Sequence, residues 1–251
     1  DIREENIHVP DGSVHHDEVS AYCEKFDREF RDLDILVMGM GEQGQLGFNE
    51  AGTSPKSRTR TVLLSYKSRK RQGRFFNGDF KHTPATAITV GIDTILSAKK
   101  IILMAWGEDK ATAVKNVTEC KPDSEWPASF LQGHPDISCY TDETAASLLT
   151  RVVSPWMVGP CDWTRKFIRK AVVWLCEQVH KPILKLTQGD YLSYGLGELL
   201  EKHGPYDRIN INVFNDFQHT ISGWPGGKPN ADDSTRPVPS SPFPKRVCIF
   251  S

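Results

Sequence analysis

The stretch Asp34-Ile-Leu-Val-Met-Gly-Met-Gly-Glu-Gln-Gly-Gln-Leu-Gly-Phe-Asn-Glu50 decides the fold. An apolar run from Ile35 to Met38 opens into Gly39, Gly41, Gly44 and Gly47. A buried strand feeding a glycine loop lets backbone N–H groups approach an anion closely, and a following helix N-terminus would add its dipole. Arg58, Arg60, Lys67, Arg69, Lys70, Arg71 and Arg74 follow as a basic segment. Strand, loop and cations together predict a pocket for something anionic.

Working outward, strand and helix patterns alternate. Val19, Tyr22, Phe26 and Phe30 predict a helix over 18–30, Asp34 to Met40 a strand, and Arg60 to Leu64 a second strand. Tyr66 to Phe76 reads as a basic helix, 87–90 and 100–106 as strands, and 108–120 as a helix with Ala111, Val114 and Val117 on one face. A strand over 137–141 and a helix over 142–153 complete the pattern. The expected class is α/β, a mostly parallel sheet with helices on both faces. Ligands in such folds sit beyond the carboxyl ends of the strands, where both the Gly39 loop and Gly107 fall.

Gly39-x-Gly41-x-x-Gly44 also fits the dinucleotide fingerprint. That fingerprint calls for an acidic residue about 20 positions on, and no Asp or Glu lies between Glu50 and Asp79. An NADP site could use the arginines instead.

The residues resemble a known family. Gly41-Glu-Gln-Gly-Gln-Leu-Gly-Phe-Asn-Glu50-Ala-Gly-Thr-Ser and Ser57-Arg-Thr-Arg60 are similar to the signature of glucosamine-6-phosphate deaminases/isomerases. So are Arg74-Phe-Phe, Ala87-Ile-Thr-Val-Gly91, Gly107-Glu-Asp-Lys110-Ala and Pro127-Ala-Ser-Phe-Leu-Gln-Gly-His134-Pro. The resemblance implies isomerisation of an amino-sugar phosphate with loss of ammonia, in the cytoplasm and without a cofactor. It also implies a homo-oligomer, Glu50 as a catalytic residue, and Gly39, Gly41, Arg74 and Lys110 as binding residues. Arg60 matches an allosteric phosphate position of some members, although Val62 stands where a second cation is expected.

The chain departs from the pattern at two places. The family loop reads Gly-x-Asp-Gly-His-x-x-Phe-Asn-Glu, and here Gln43 replaces the Asp and Gln45 the His. An amide donates and accepts hydrogen bonds but does not titrate near neutral pH, and general acid–base catalysis needs a usable pKa. The kept glycines and Phe48-Asn49 imply that Gln43, Gln45 and Glu50 still line one pocket, with Glu50 taking a sugar hydroxyl or the Gln45 amide. The start of the chain, Asp1-Ile-Arg-Glu-Glu, resembles the middle of the family fold, so the expected domain over 1–153 is the later half of it. Arg69, Lys70 and Arg71 read as a solvated helix face, and His134 as a loop-bonding residue. His15, His16, His82 and His203 form no evident constellation.

After Val153 the character changes. The segment 163–180 reads as a helix, and Thr187-Gln-Gly-Asp190 as a cap opening a second one through His203. Residues 208–214 read as extended, 223–245 as a Pro/Gly-rich linker, and 245–251 as a strand. That last strand resembles the opening of a PIG-L-type deacetylase, which would make 154–251 a helical and extended interdomain region.

Composition narrows the rest. The 251 residues carry a net charge of −1, which disfavours a globally basic nucleic-acid binder. No apolar run reaches membrane-span length. The six cysteines are scattered without Cys-x-x-Cys pairs, so neither a disulfide framework nor a zinc site is expected. The partner implied is a sugar phosphate. Three other readings stay open: a non-catalytic sugar-phosphate sensor, a 6-phosphogluconolactonase-like hydrolase, and the accessory half of a deacetylase fusion.

Overall fold

The computed structural model describes residues 2–31 and 33–222. These fall into two compact units divided between Leu149 and Thr150.

The first unit opens with helix α1 (Val19–Phe30), followed by strand β1 (Leu36–Gly39). After the glycine loop come β2 (Arg60–Leu63), α2 (Tyr66–Gln72), β3 (Thr86–Thr89) and α3 (Ile92–Ile95). Strand β4 (Ile101–Ala105), helix α4 (Ala111–Glu119) and β5 (Ile137–Thr141) complete it. The main sheet is parallel in the order β1-β4-β5, with Leu36 opposite Ile101 and Ile101 opposite Ile137. Strands β2 and β3 form a separate antiparallel pair, in which Arg60 faces Thr89. Ile101, Leu103 and Ala105 point into the core, where they meet Ile92, Val114, Val117 and Leu131. Burying each large aliphatic side chain contributes about 1.5–3 kcal/mol.

Local chemistry shortens two of the expected helices. The basic helix ends at Gln72 and passes into a 3-10 turn, Gly73–Phe76, closed by Asn77 at φ 53°. Only Thr150–Val153, called α5, is helical within the expected 142–153 segment. The Asp142 carboxylate explains the difference. It accepts from the Gly107 and Ala145 N–H groups and the Thr144 hydroxyl, an arrangement that competes with helix formation.

The second unit comprises α5, α6 (Arg165–Val179), α7 (Gln188–Ser193), α8 (Gly197–His203) and α9 (Tyr206–Ser222). Thr187 caps α7 as expected, and its reciprocal bond with Asp190 makes the cap a capping box. One helix to His203 was expected, but the chain breaks at Gly195, φ +74°, into α7 and α8. The 208–214 segment is helical rather than extended. Ile209 and Val213 lie one turn apart, buried against Val172 and Leu175, while Ile211 is exposed. Trp156, Trp163 and Trp174 gather around Phe167 and Tyr194, so this unit has a core of its own. The linker and final strand expected over 223–251 lie outside the described residues.

Tyr191 is fully buried, its hydroxyl donating to Asn210 Oδ1 at 2.7 Å, while Asn210 Nδ2 donates to the Leu186 carbonyl. Tyr191→Phe is expected to destabilise the helical unit by about 1–3 kcal/mol, because it strips a buried acceptor of its partner. Urea denaturation followed by near-ultraviolet circular dichroism checks this. A loss below about 0.5 kcal/mol would mean that the Tyr191–Asn210 link contributes nothing beyond packing.

Candidate functional site

Strands β1 and β4 are parallel neighbours, so the loop after Gly39 and the turn at Gly107 emerge at the same edge of the sheet. The Met40 N–H still bonds the Met104 carbonyl at 3.0 Å, and the chain then folds over itself. Met40 bridges Leu46, and Leu46 bridges Asn49. No helix opens directly from the glycines, so the helix N-terminus that the dinucleotide reading needs there is replaced by this folded loop.

Asn49 anchors the loop. It is fully buried, with Nδ2 donating to the Leu46 carbonyl at 2.9 Å and the Val90 carbonyl at 2.7 Å. Its Oδ1 accepts from Arg60 Nη1 at 3.0 Å. Arg60 therefore grips the loop from β2, and burial pulls its guanidinium below the ordinary arginine range. Gly47 adopts φ +58°, and the next N–H, of Phe48, reaches Thr89 Oγ1 at 3.1 Å. The loop is thus pinned to both β2 and β3.

The two glutamines differ in setting. Gln43 is exposed, whereas Gln45 is buried. The Gln45 side chain folds back beneath the loop, and its Oε1 accepts the Gln43 N–H at 2.8 Å. A Cβ built on Gly41 would lie 2.3 Å from Gln45 Cδ, so glycine at 41 is what lets the amide lie there. Glu50 is half-buried, and its Oε1 takes the Ser65 hydroxyl at 3.0 Å and the Ser68 hydroxyl. These serines, not the Gln45 amide, are its partners. Ser65 caps α2, so the Glu50 carboxylate sits at the favourable end of that helix.

The cations also divide. Arg69 is no solvated side chain, since it donates to the Phe80 and Thr83 carbonyls and lies over the Phe80 ring. Arg71 pairs with Glu42 at 2.6 Å, and Lys67 reaches the same carboxylate at 3.1 Å. Lys70 is exposed, as expected. Lys110 precedes α4 and pairs with Asp109. Arg74 is exposed and stacks on Phe75 at 4.6 Å. Among the described residues no hydrogen bond or ion pair joins it to the loop.

Three features were not singled out in the sequence. Asp27 on α1 is buried and accepts from Arg58, Arg31, the Thr59 N–H and the Thr94 hydroxyl. Burial pushes its carboxyl up, but the bonds from Thr94, Thr59 and Arg58 outweigh that and hold it well below the usual range. A cleft of about 580 Å³ opens beside it, lined by α1 and by residues 58–61. His15, His16 and Asp17 gather within 4.8 Å, all exposed, where no constellation was expected. His134 bonds loops as expected, with Nε2 2.7 Å from the Ala98 carbonyl and Nδ1 accepting the Asp136 N–H. Cys23 and Cys139 are buried and Cys120 is exposed, all as free thiols. No described helix is long and apolar enough to cross a membrane.

A family model of glucosamine-6-phosphate isomerases/6-phosphogluconolactonase matches residues 1–139, more than half of the chain. The chain belongs to this family. Along its whole length it is 46% identical to a glucosamine-6-phosphate deaminase-like protein of Bacteroides thetaiotaomicron, of which it covers 38%. It is 40% identical over 149 residues to the glucosamine-6-phosphate deaminase of Bacillus velezensis, covering 58% of this chain and 61% of that one. A solved monomeric glucosamine-6-phosphate deaminase matches 56% of this chain and 58% of its own, at 39% identity and a TM-score of 0.51. The chain thus spans less than two thirds of each of these relatives. The family match ends near the boundary between the two units, and the Bacteroides relative alone among these three extends the likeness through the helical one.

Proposed function

We propose that this family member binds a hexosamine phosphate of the glucosamine 6-phosphate class without deaminating it. The observation that carries the reading is the Gln45 side chain, buried beneath Gly41 with its oxygen committed to the Gln43 N–H. The resemblance puts the family's Asp and His at 43 and 45. In this chain both positions carry amides, which cannot shuttle a proton near neutral pH, and the Gln45 amide instead holds the loop in shape. Glu50, engaged by Ser65 and Ser68, serves as a fixed acceptor.

Binding is supported by what the loop keeps. Gly41 and Gly44 close the turn, Asn49 anchors it, and Lys67, Arg71 and Lys110 supply cations to that side of the fold. The deaminase names of the relatives at 37–46% identity favour an amino sugar over a lactone. Calorimetric titration with glucosamine 6-phosphate, glucosamine and 6-phosphogluconate tests this reading. Saturable heat is expected with the first alone. Absence of that signal, or equal binding of unphosphorylated glucosamine, would contradict it.

A further inference from the structure

The Glu42 carboxylate bridges two cations on successive turns of α2. Its Oε1 lies 2.6 Å from Arg71 Nη2, and its Oε2 lies 3.1 Å from Lys67 Nζ. The hydrogen bond from Lys67 draws the Glu42 carboxyl below its ordinary value, with further help from the charges of Arg71 and Lys110. Arg71 in turn lowers Asp109, chiefly held by Lys110, so the three ion pairs form one cluster of three cations and two carboxylates. Glu42 and Arg71 are each 32% exposed and Lys110 only 18%, which removes part of the solvent that weakens open surface pairs, while Lys67 and Asp109 stay more than half exposed. Glu42 sits between Gly41 and Gln43, inside the loop that the ligand must approach.

A carboxylate and a phosphate compete for the same donors, and a dianion with three oxygens is the stronger acceptor for a guanidinium fork and an ammonium. We propose that Glu42 is an internal counter-anion seated on Lys67 and Arg71, displaced by the phosphate of an incoming ligand. These two α2 cations then join Lys110 in the anion seat. The inference rests on the reading that a sugar phosphate binds at this loop. It adds that the chain's own Glu42 carboxylate occupies the seat and that entry is a charge exchange.

Inorganic phosphate and glucosamine 6-phosphate are titrated by calorimetry at low ionic strength against the wild-type chain, Glu42→Gln, Glu42→Asp and Arg71→Gln. Far-ultraviolet circular dichroism verifies that each variant is folded. Glu42→Gln is expected to bind both ligands about 5- to 20-fold tighter, because the competing carboxylate is gone while its shape stays. Glu42→Asp keeps a carboxylate and stays nearer the wild type. Arg71→Gln weakens both ligands about tenfold. Unchanged affinity in Glu42→Gln, with saturable wild-type binding, overturns the inference and leaves the functional reading standing. Unchanged affinity for both ligands in Arg71→Gln overturns it as well. Tighter phosphate binding by Glu42→Gln, with glucosamine 6-phosphate bound by no variant, supports the counter-anion and overturns the sugar-phosphate reading. No binding of either ligand to any variant overturns both.

Discussion

Ammonia release from glucosamine 6-phosphate by this chain is expected to fall at least about a thousandfold below that of the Bacillus velezensis deaminase assayed beside it. A positioned proton-transfer group contributes about 10²–10⁴-fold, and two positions that the family resemblance gives to titrating side chains are held here by Gln43 and Gln45. The geometry adds to the argument from residue type. Gln45 is buried with its oxygen engaged, so a water molecule is poorly placed to replace the missing proton carrier through it. A coupled ammonia assay checks the prediction, and turnover within tenfold of the Bacillus enzyme would refute it.

Asp27→Asn is expected to cost about 2–4 kcal/mol at pH 7. Removing the charge from a buried pair costs about 3–5 kcal/mol when both partners are buried. The lower range applies here because the Arg58 side chain is 54% exposed and can be hydrated. The pH dependence has a definite sign. The native Asp27 carboxyl lies below its unfolded value, near 3.9 in model peptides, so its stabilisation is present above about pH 4 and is lost as pH falls toward the native value. The gap in stability between wild type and Asp27→Asn should therefore narrow between about pH 6 and pH 3. Urea denaturation at the two pH values measures it, and a gap that stayed constant would show that the charge carries no part of the effect.

Much of the loop was legible because its signals are local. Apolar residues leading into Gly39 and Gly41 specify a strand and a tight turn, and the β4 segment announces itself by its apolar run Ile101-Ile-Leu-Met-Ala105. The family resemblance added Lys110 and Arg74 as candidates. What stayed hidden depends on contacts between distant residues. Asp27 looks like one charge on a helix until Arg58, Thr59 and Thr94 come to it from 31, 32 and 67 residues away. Arg69 and Arg71 read as solvent-facing because nothing in their own helix shows that Phe80, Thr83 and Glu42 cover them. The 208–214 segment misled for another reason. Ile209, Ile211 and Val213 alternate as in a strand, but only Ile209 and Val213 are buried, and packing against α6 selected the helix.

The central claim is that the glycine loop still receives a sugar phosphate after its proton chemistry is gone. Nuclear magnetic resonance of the ¹⁵N-labelled chain, titrated with glucosamine 6-phosphate, tests it most directly. The account predicts saturable shifts of the Gly41, Glu42, Gly44 and Gln45 amides with a single dissociation constant, accompanied by shifts at Lys67 and Arg71 and by no release of ammonia. Shifts confined to the α1 cleft around Asp27, or no shifts at saturating ligand, would contradict it.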